Sequence, residues 1–293
     1  FDAQTFSAPV DTFHAECLER AEHFPRNLLT TATHDHKRGE DTRARMTVIS
    51  ERAEWFASKV KHWRQLAYGQ RQELPEGPAP SPGDEMLLYQ VLLGCWPLDL
   101  KADDKSAMET FCERMIQWQE KAVREAKLRS TWTDPNSDYE GACQHYLRAL
   151  LLGDECKTLR DDIAAAAAEL APAGALNSLT QTFLRMTTPG VPDLYQGADY
   201  WDFSLVDPDN RRPVDFDRRR ATFSLDAQPA ELMANWQDGR IKQWLIANTL
   251  KLRRAHPRLF TEGRYLPLKV EGEHAERVIA FARELDGHCV IVI

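Results

Sequence analysis

Side chains that can do chemistry are concentrated in residues 30–45, the segment TTATHDHKRGEDTRAR, which we name the first motif. His34 and Asp35 come first, and Lys37 and Arg38 follow them closely. A carboxylate beside cations can bind hydroxyl groups, and in glycosidic chemistry it can stabilise an oxocarbenium-like transition state. Alternatively, Asp35 caps the next helix while Lys37 and Arg38 are solvated. This segment alone leaves both interpretations open.

The histidines of the first motif do not indicate a metal. His34 and His36 lie too close in sequence for the i, i+4 pair of a helical zinc site, and the chain has no H-E-x-x-H motif. We therefore expect neither a metal nor a cofactor. Of the roles open to His34, we favour hydrogen bonding to hydroxyl groups.

The end of the first motif is expected to be structural. Glu40 and Asp41 open the next helix, where acidic side chains favour the helix dipole. Arg43 and Arg45 are interpreted as members of structural ion pairs, although the sequence does not specify their partners.

A second group of polar side chains lies in residues 204–216, the segment SLVDPDNRRPVDF, which we name the second motif. Its forked donors and acceptors are Asp207, Asp209, Asn210, Arg211 and Arg212. Planar aromatic side chains precede it: Tyr195, Tyr200, Trp201 and Phe203. Carbohydrates are recognised by this mixture, because polar groups bind hydroxyls while rings cover the C–H face. Alternatively, an Arg–Asp network holds a long loop rigid; both can be true, and we assign Arg212 to the network.

The elements around the first motif follow the order of a parallel α/β fold. Residues 11–24 have helical spacing, Pro25 ends that helix, and residues 27–33 predict a short buried strand. Helical spacing returns from 40 to about 59. In such folds the catalytic and ligand-binding residues lie at the carboxyl ends of the strands. The first motif follows such an end.

The middle of the chain is predicted to be helical. Residues 74–85 are rich in Pro and Gly and predict a surface loop. Helical patterns follow at about 83–94, 105–129, 137–152, 159–170 and 173–187. Beyond them, a short strand is expected within 187–197, helices at 228–237 and 239–256, and strands from Tyr265 onward.

Composition excludes some classes of function. The chain has 43% hydrophobic and 28% charged residues and a net charge of −8, which argues against nucleic acid or anionic membranes as partners. Six scattered cysteines without a C-x-x-C pair favour a reducing cytoplasm. The chain starts at Phe1 and stops within the apolar run HCVIVI, so we expect a piece of a longer protein.

Both motifs resemble one family. TATHDHKRGEDTRAR is similar to the T-HD-KR-ED-RAR stretch of maltooligosyltrehalose synthases, in the α-amylase superfamily, and PGVPDLYQGADYWDFSLVDPDNRRPVDF is similar to their eighth-strand region. The resemblance implies an α/β fold: the C-terminal part of a (β/α)8 barrel with a large helical insertion, followed by the start of an all-β domain. The implied divisions are 1–58 (barrel, strand seven), 59–186 (helical insertion), 187–258 (barrel, strand eight and site loop) and 259–293 (β-domain).

The resemblance also implies an activity. These isomerases convert the reducing-end α-1,4 bond of a maltooligosaccharide into the α,α-1,1 bond of trehalose with retention, through a nucleophilic carboxylate and a second carboxyl group. Asp35 matches a third carboxylate that holds the sugar hydroxyls, and His34 matches a histidine that binds the same ring. The other expected substrate-binding residues are Lys37, Arg38, Tyr195, Gln196, Asp207, Asn210 and Arg211.

The same resemblance sets limits on the chain. The nucleophile and general acid of the family lie on earlier strands, so the chain alone is expected to be inactive. Lys37, Arg38 and the helical insertion are expected to close the pocket that holds the released glucose. The implied pathway partner is a trehalose-releasing hydrolase. The alternatives are a glucan hydrolase of the same superfamily and a non-catalytic α-glucan-binding module.

Overall fold

A computed structural model describes residues 7–293, which are mostly helical with small sheets. The helices are α1 (Val10–His23), α2 (Glu40–Met46), α3 (Ala53–Leu66), α4 (Pro82–Cys95), α5 (Lys105–Ala126), α6 (Ser137–Leu152), α7 (Lys157–Thr187), α8 (Phe216–Thr222), α9 (Pro229–Ala234), α10 (Arg240–Ala255) and α11 (Pro257–Thr261). The strands are β1 (Leu28–Leu29), β2 (Gln72–Leu74), β3 (Gly77–Ala79), β4 (Val191–Pro192), β5 (Arg264–Pro267), β6 (Phe281–Leu285) and β7 (His288–Val292). None of the described helices is both long enough and apolar enough to cross a membrane.

The chain divides into two compact units. The first unit consists of Phe1–Thr33, Leu179–Tyr200 and Asp215–Ile293, and the second of His34–Ser178 and Trp201–Val214. The chemically rich parts of both motifs, from His34 and up to Val214, therefore fall in the second unit. The domain boundaries implied by the resemblance stay predictions.

Amphipathic helices build the second unit around a large apolar core. Trp63, Tyr89, Leu92, Tyr146 and Ile163 have no exposed surface. The helices begin where the sequence offers caps, because the first N–H groups of a helix need acceptors. The capping side chains are Ser81 for α4, Asp104 for α5 and Asn136 for α6.

Two stretches of the second unit differ from the sequence prediction. The helix expected from 40 to about 59 is interrupted by a 3₁₀ segment, Thr47–Arg52, where β-branched Thr47, Val48 and Ile49 lower helix propensity. The loop expected over 74–85 contains strand β3, which pairs in an antiparallel hairpin with β2 just before it, and then the start of α4.

Helix α7 is also longer than predicted. Two helices, 159–170 and 173–187, were expected around Pro172, but one helix runs through it. Proline in a helix costs about 3 kcal/mol, because it lacks an N–H and crowds the preceding turn. Burial of neighbouring Leu170 and Ala171 and the alanine-rich turns before them offset this cost.

Helix α7 touches α2 at a glycine, which yields a stability prediction. A Cβ on Gly174 would lie 2.7 Å from Arg45 Cα and 2.8 Å from Arg45 Cβ, so the two backbones can approach only because residue 174 lacks a side chain. We expect Gly174→Ala to lower the free energy of unfolding by about 1–3 kcal/mol through overpacking. Urea denaturation followed by circular dichroism measures this change.

Gly141 in α6 is the matched control for Gly174. A Cβ on Gly141 would meet no atom within 4 Å, so Gly141→Ala is expected to stabilise the chain by about 0.5–1 kcal/mol through helix propensity alone. A Gly174→Ala variant that is stabilised to the same degree would contradict the close-packing argument.

In the first unit, the strand before the first motif is shorter and more exposed than predicted. A buried strand over 27–33 was expected, but β1 covers only Leu28–Leu29, and Leu28 is 67% exposed. The strand ends early because Thr30 Oγ1 donates to Ala32 O (2.6 Å), which turns the chain locally. β1 pairs in parallel with β4, with Leu28 opposite Val191.

The tail of the first unit forms strands, as its alternating pattern predicted. β5, β6 and β7 form an antiparallel sheet in that order. Tyr265 and Phe281 pack with Cys17 of α1, and His14 Nδ1 lies 2.7 Å from Tyr265 Oη. The short helices α8 and α11 were not predicted, because neither is long enough to show a periodic pattern.

Candidate functional site

His34 and Asp35 form an exposed turn at the start of the second unit. His34 Nε2 lies 3.4 Å from Asp35 Oδ2, and the two side chains are 66% and 84% exposed. Helix α2 begins at Glu40 with Gly39 as its N-cap, so the interpretation of Asp35 as a helix cap is wrong. The carboxylate and imidazole are presented together, where they can accept from and donate to the same ligand.

The second motif is joined to the first through backbone hydrogen bonds. Gly39 N–H donates to Ser204 O (2.7 Å), and Arg38 forms an antiparallel bridge with Leu205. A Cβ on Gly39 would lie 2.6 Å from Asp202 O and 2.9 Å from Ser204 O. Only glycine permits this approach, which explains its position between the charged turn and α2.

Asn210 fixes the turn that carries His34 and Asp35. Its side chain is buried, and Nδ2 donates to His34 O (2.8 Å). A buried amide donor with a backbone acceptor restrains the turn, because breaking the bond would leave a polar group unsatisfied. The observed contact is therefore a positioning contact, while a direct contact of Asn210 with substrate stays a prediction.

A chain of alternating charges connects the two motifs through helix α5, and we name it the α5 charge chain. Lys37 Nζ lies 2.6 Å from Glu125 Oε2, and Glu125 Oε1 lies 3.9 Å from Lys121 Nζ. Lys121 donates to Asp207 O (3.0 Å), and its Nζ lies 4.0 Å from the Asp207 carboxylate. Asp207 Oδ1 in turn lies 2.5 Å from Arg211 Nε. Three of the predicted binding residues therefore have defined ionic partners.

Asp209 is the anchor of the second motif. Arg114 Nε of α5 lies 2.8 and 3.0 Å from its two carboxylate oxygens, and Arg212 Nε lies 3.1 Å from Oδ1. Leu205 N–H also donates to Asp209 Oδ2 (2.7 Å). The interpretation of Asp209 and Arg212 as an Arg–Asp network that holds the loop is confirmed.

Arg38 is a half-buried cation in the first motif. Burial lowers the pKa of its guanidinium, which stays protonated at neutral pH. Its Nε is buried and has no acceptor among the described residues. An unsatisfied buried donor costs about 1–3 kcal/mol. A direct contact of Arg38 with substrate stays a prediction.

The sequence did not reveal the role of Asp41. It was expected to interact with the helix dipole, but it is buried and accepts hydrogen bonds from Ser178 Oγ and from the backbone N–H of Asp202. This one carboxylate therefore connects α2, α7 and the loop before the second motif. Ser178 lies far away in sequence, so no spacing could have indicated the contact.

The expected ion pair of Arg45 is replaced by contacts with carbonyls and a ring. Its guanidinium lies 4.0 Å from the centre of the Phe203 ring and donates to Leu93 O (3.3 Å) and Trp96 O (2.7 Å). Burial lowers the pKa of Arg45 to about 10, so it remains charged at neutral pH. Because Arg45 covers one face of Phe203, that face is not available to a sugar.

No family model matches the chain, but individual proteins do. A relative from Mycobacterium tuberculosis, with the provisional name maltooligosyl trehalose synthase, is 34% identical over 284 residues, which cover 96% of this chain and 33% of the relative. A crystal structure of maltooligosyl trehalose synthase superposes with a TM-score of 0.81 at 29% identity, over 96% of this chain and 36% of that one. The structure of maltooligosyltrehalose synthase from Arthrobacter ramosus superposes with a TM-score of 0.73 at 31% identity, over 96% of this chain and 33% of that one. The resemblance to maltooligosyltrehalose synthases is confirmed.

The match to the synthases covers nearly all of this chain but only part of theirs. The chain spans about a third of the length of the curated relatives. Its fold is similar to the corresponding third of the solved synthases, which includes the helical middle as well as the two motifs.

Not every aromatic residue that precedes the second motif can face a substrate. Tyr200 was interpreted as a possible sugar platform, but it is buried in the first unit, where Arg219 and Arg218 lie 4.9 and 5.4 Å from its ring centre. Its packing role excludes the platform role. Tyr195 is half-buried and Gln196 exposed; both belong to the first unit, and their substrate-binding roles stay predictions.

The second unit holds the other residues that the synthase resemblance selected: His34, Asp35, Lys37, Arg38, Asp207, Asn210 and Arg211. Among residues 7–293, no group of three or more His, Cys, Asp or Glu side chains has the geometry to hold a metal ion.

Proposed function

We propose that this chain supplies part of the sugar-binding site of a maltooligosyltrehalose synthase. The observation that carries the proposal is the exposed His34–Asp35 pair, 3.4 Å apart, on a turn fixed by Asn210 within the same unit as the second motif. A carboxylate and an imidazole so placed can hold two hydroxyl groups of one pyranose ring. The similarity to solved synthases supports the same assignment.

The proposed reaction is an isomerisation with retention. In the complete protein a carboxylate attacks the anomeric carbon, a carboxylic acid protonates the leaving glucose, and that glucose then attacks the intermediate through its anomeric hydroxyl. Asp35 Oδ accepts hydrogen bonds from hydroxyls of the reacting ring and stabilises its positive charge, while His34 donates to the same ring. No residue of this chain is assigned as nucleophile or general acid.

The same proposal assigns parts of the fold to a barrel. β1 and β4 would be neighbouring barrel strands seven and eight, and β5 to β7 would begin an all-β domain. Residues 59–186, which hold α4 to α6 and nearly all of α7, would form the insertion between the two barrel strands. The parallel pairing of β1 with β4 supports the first assignment, since consecutive barrel strands run parallel.

A cytoplasmic location and a trehalose-releasing hydrolase as pathway partner belong to this proposal. All six cysteines are unpaired, and the five that are buried are Cys17, Cys95, Cys112, Cys143 and Cys156. Burial raises the pKa of the Cys95 and Cys112 thiols to about 11, which keeps them protonated. Unpaired thiols are typical of a reducing compartment.

Product analysis tests the function. The complete protein, incubated with maltopentaose, is expected to form maltotriosyltrehalose, so that reducing ends disappear while chain length stays constant. The chain alone is expected to form none. Free glucose as the main product would instead indicate a glucan hydrolase, and free trehalose the trehalose-releasing hydrolase. Binding without any product from the complete protein would indicate a non-catalytic α-glucan-binding module.

Lys37→Ala tests whether the α5 charge chain helps to exclude water. Losing the Lys37–Glu125 pair should loosen the first motif, so that water competes better with glucose for the intermediate. We expect the ratio of isomerisation to hydrolysis to fall about fivefold, equivalent to the ~1 kcal/mol that an exposed ion pair can contribute. Lys105→Ala, at the exposed start of α5, is the matched control. A ratio equal to that of the control would refute this role for Lys37.

A further inference from the structure

An open groove of about 720 Å³ follows one face of helix α3 in the second unit. Its apolar residues are Phe56, Ala57, Val60, Tyr68 and Met86, of which Tyr68 is 75% exposed. Exposed large apolar side chains grouped in a concave surface are typical of interaction sites.

The groove has the shape of a helix-binding surface. Six of its lining residues belong to α3 and lie at positions 56, 57, 60, 61, 64 and 65, which is the spacing of one stripe along a helix. From residue 56 to residue 65 this stripe runs for about 14 Å, at 1.5 Å per residue. A stripe of this length matches the apolar face of a second helix of two to three turns better than a compact ligand.

The rim of the groove is positively charged although the chain as a whole is acidic. Lys61, Arg64 and Arg71 line it, and none of the lining residues is acidic. Two of these cations share the carboxylate of Glu85, which is fully buried and lies 3.0 Å from Arg64 Nε and 2.6 Å from Arg71. One carboxylate against three cations leaves two positive charges in excess.

The ion pairs with Glu85 hold the side chains of Arg64 and Arg71 in place. The Glu85 carboxylate also accepts hydrogen bonds from Tyr89 Oη (3.0 Å) and Tyr146 Oη (2.7 Å), so its position is set by the core. Arg71 Nε is buried and has no acceptor among the described residues. The Arg64 side chain is 40% exposed, so it remains accessible to a carboxylate brought by a ligand.

From these observations we propose that the α3 groove binds an acidic amphipathic helix of a partner protein. Apolar side chains on one face of that helix would cover Val60, Tyr68 and Met86. Asp or Glu residues on its flanks would pair with the positively charged rim, chiefly with Lys61 and Arg64. Charge complementarity selects this occupant over a neutral sugar or a basic peptide.

A stapled helical peptide serves as the probe, with leucines at i, i+4 and i+7 and glutamates on both flanks. Fluorescence anisotropy with the complete protein is expected to give a Kd of about 1–10 μM. The same peptide with lysine for every glutamate is expected to bind at least about tenfold more weakly.

Variants of the chain locate the binding. Lys61→Glu reverses an exposed charge on the rim and should weaken binding of the acidic peptide by about tenfold. Tyr68→Ala, at an exposed position, should weaken it independently through lost apolar contact. Lys105→Glu makes the same charge change elsewhere in the second unit and should leave the Kd unchanged.

Four results would overturn the proposal. Equal affinity for the acidic and basic peptides would show that the groove does not select an acidic ligand. An unchanged Kd in both the Lys61→Glu and the Tyr68→Ala variants would show that the peptide binds elsewhere. Displacement of the peptide by dodecanoate, with a Kd for dodecanoate equal to that of the peptide, would indicate a site for small apolar anions. Self-association that sedimentation detects and that Lys61→Glu abolishes would indicate a second copy of the chain.

Discussion

Replacement of Asp35 by Asn in the complete protein is expected to lower kcat for conversion of maltopentaose by about 100- to 1,000-fold, the loss observed when one charge-stabilising group is removed from an active site. Asn keeps the size of the side chain and can still accept a hydrogen bond from a hydroxyl. It lacks the negative charge that stabilises an oxocarbenium-like transition state. The effect should therefore appear in kcat, while KM changes little.

Because Asp35 is exposed, an effect of its replacement on catalysis can be separated from an effect on stability. Its side chain is 84% exposed and does not cap α2, so Asp35→Asn should leave the thermal unfolding midpoint unchanged. Asp103→Asn, at an exposed position of the same unit, controls for the loss of one charge. A kcat within about twofold of the control would reduce Asp35 to a surface residue, because a catalytic carboxylate is worth several kcal/mol.

Asp41→Ala is expected to lower the free energy of unfolding by about 2–4 kcal/mol, because it leaves the buried Ser178 hydroxyl and the Asp202 N–H without their acceptor. The loss should fall on the loop that carries the second motif as well as on α2. Urea denaturation measures the stability, and hydrogen exchange at the amide of Asp202 reports the loop directly.

Two further variants separate the loss of hydrogen-bond acceptors from the general effect of removing an acidic side chain. Asp41→Asn retains one carbonyl acceptor and should lose less stability than Asp41→Ala. Glu54→Ala, at an exposed position early in α3, should change stability by no more than about 0.5 kcal/mol. Unchanged exchange at Asp202 in the Asp41→Ala variant would mean that the loop is held by other contacts.

Long helices were the most predictable part of the fold. The expected 137–152 and 239–256 segments agree within a residue with α6 and α10, because their apolar positions recur with helical period and their ends carry caps or breakers. The short strands were less predictable. Leu28 has strand-like neighbours in sequence, but whether such a segment is buried depends on which elements pack against it.

The candidate site was predictable in its members but not in its construction. His34 and Asp35 stood out because chemically active residue types follow an apolar run. The residues of α5 that hold the two motifs do not stand out: Arg114, which binds Asp209, and Glu125, which binds Lys37, are ordinary charged positions on an amphipathic helix. Contacts between residues so distant in sequence are set by tertiary packing, which periodicity does not encode.

The α5 charge chain limits how this protein can be recombined with its relatives. A chimera that takes α5 from a related synthase but keeps both motifs would inherit new side chains at position 121, which now binds Asp207, and at position 125, which now binds Lys37. A mismatch there would put like charges face to face or leave a cation unpaired. Successful transplants should therefore exchange helix and loops as one block, or carry compensating charge swaps at both ends.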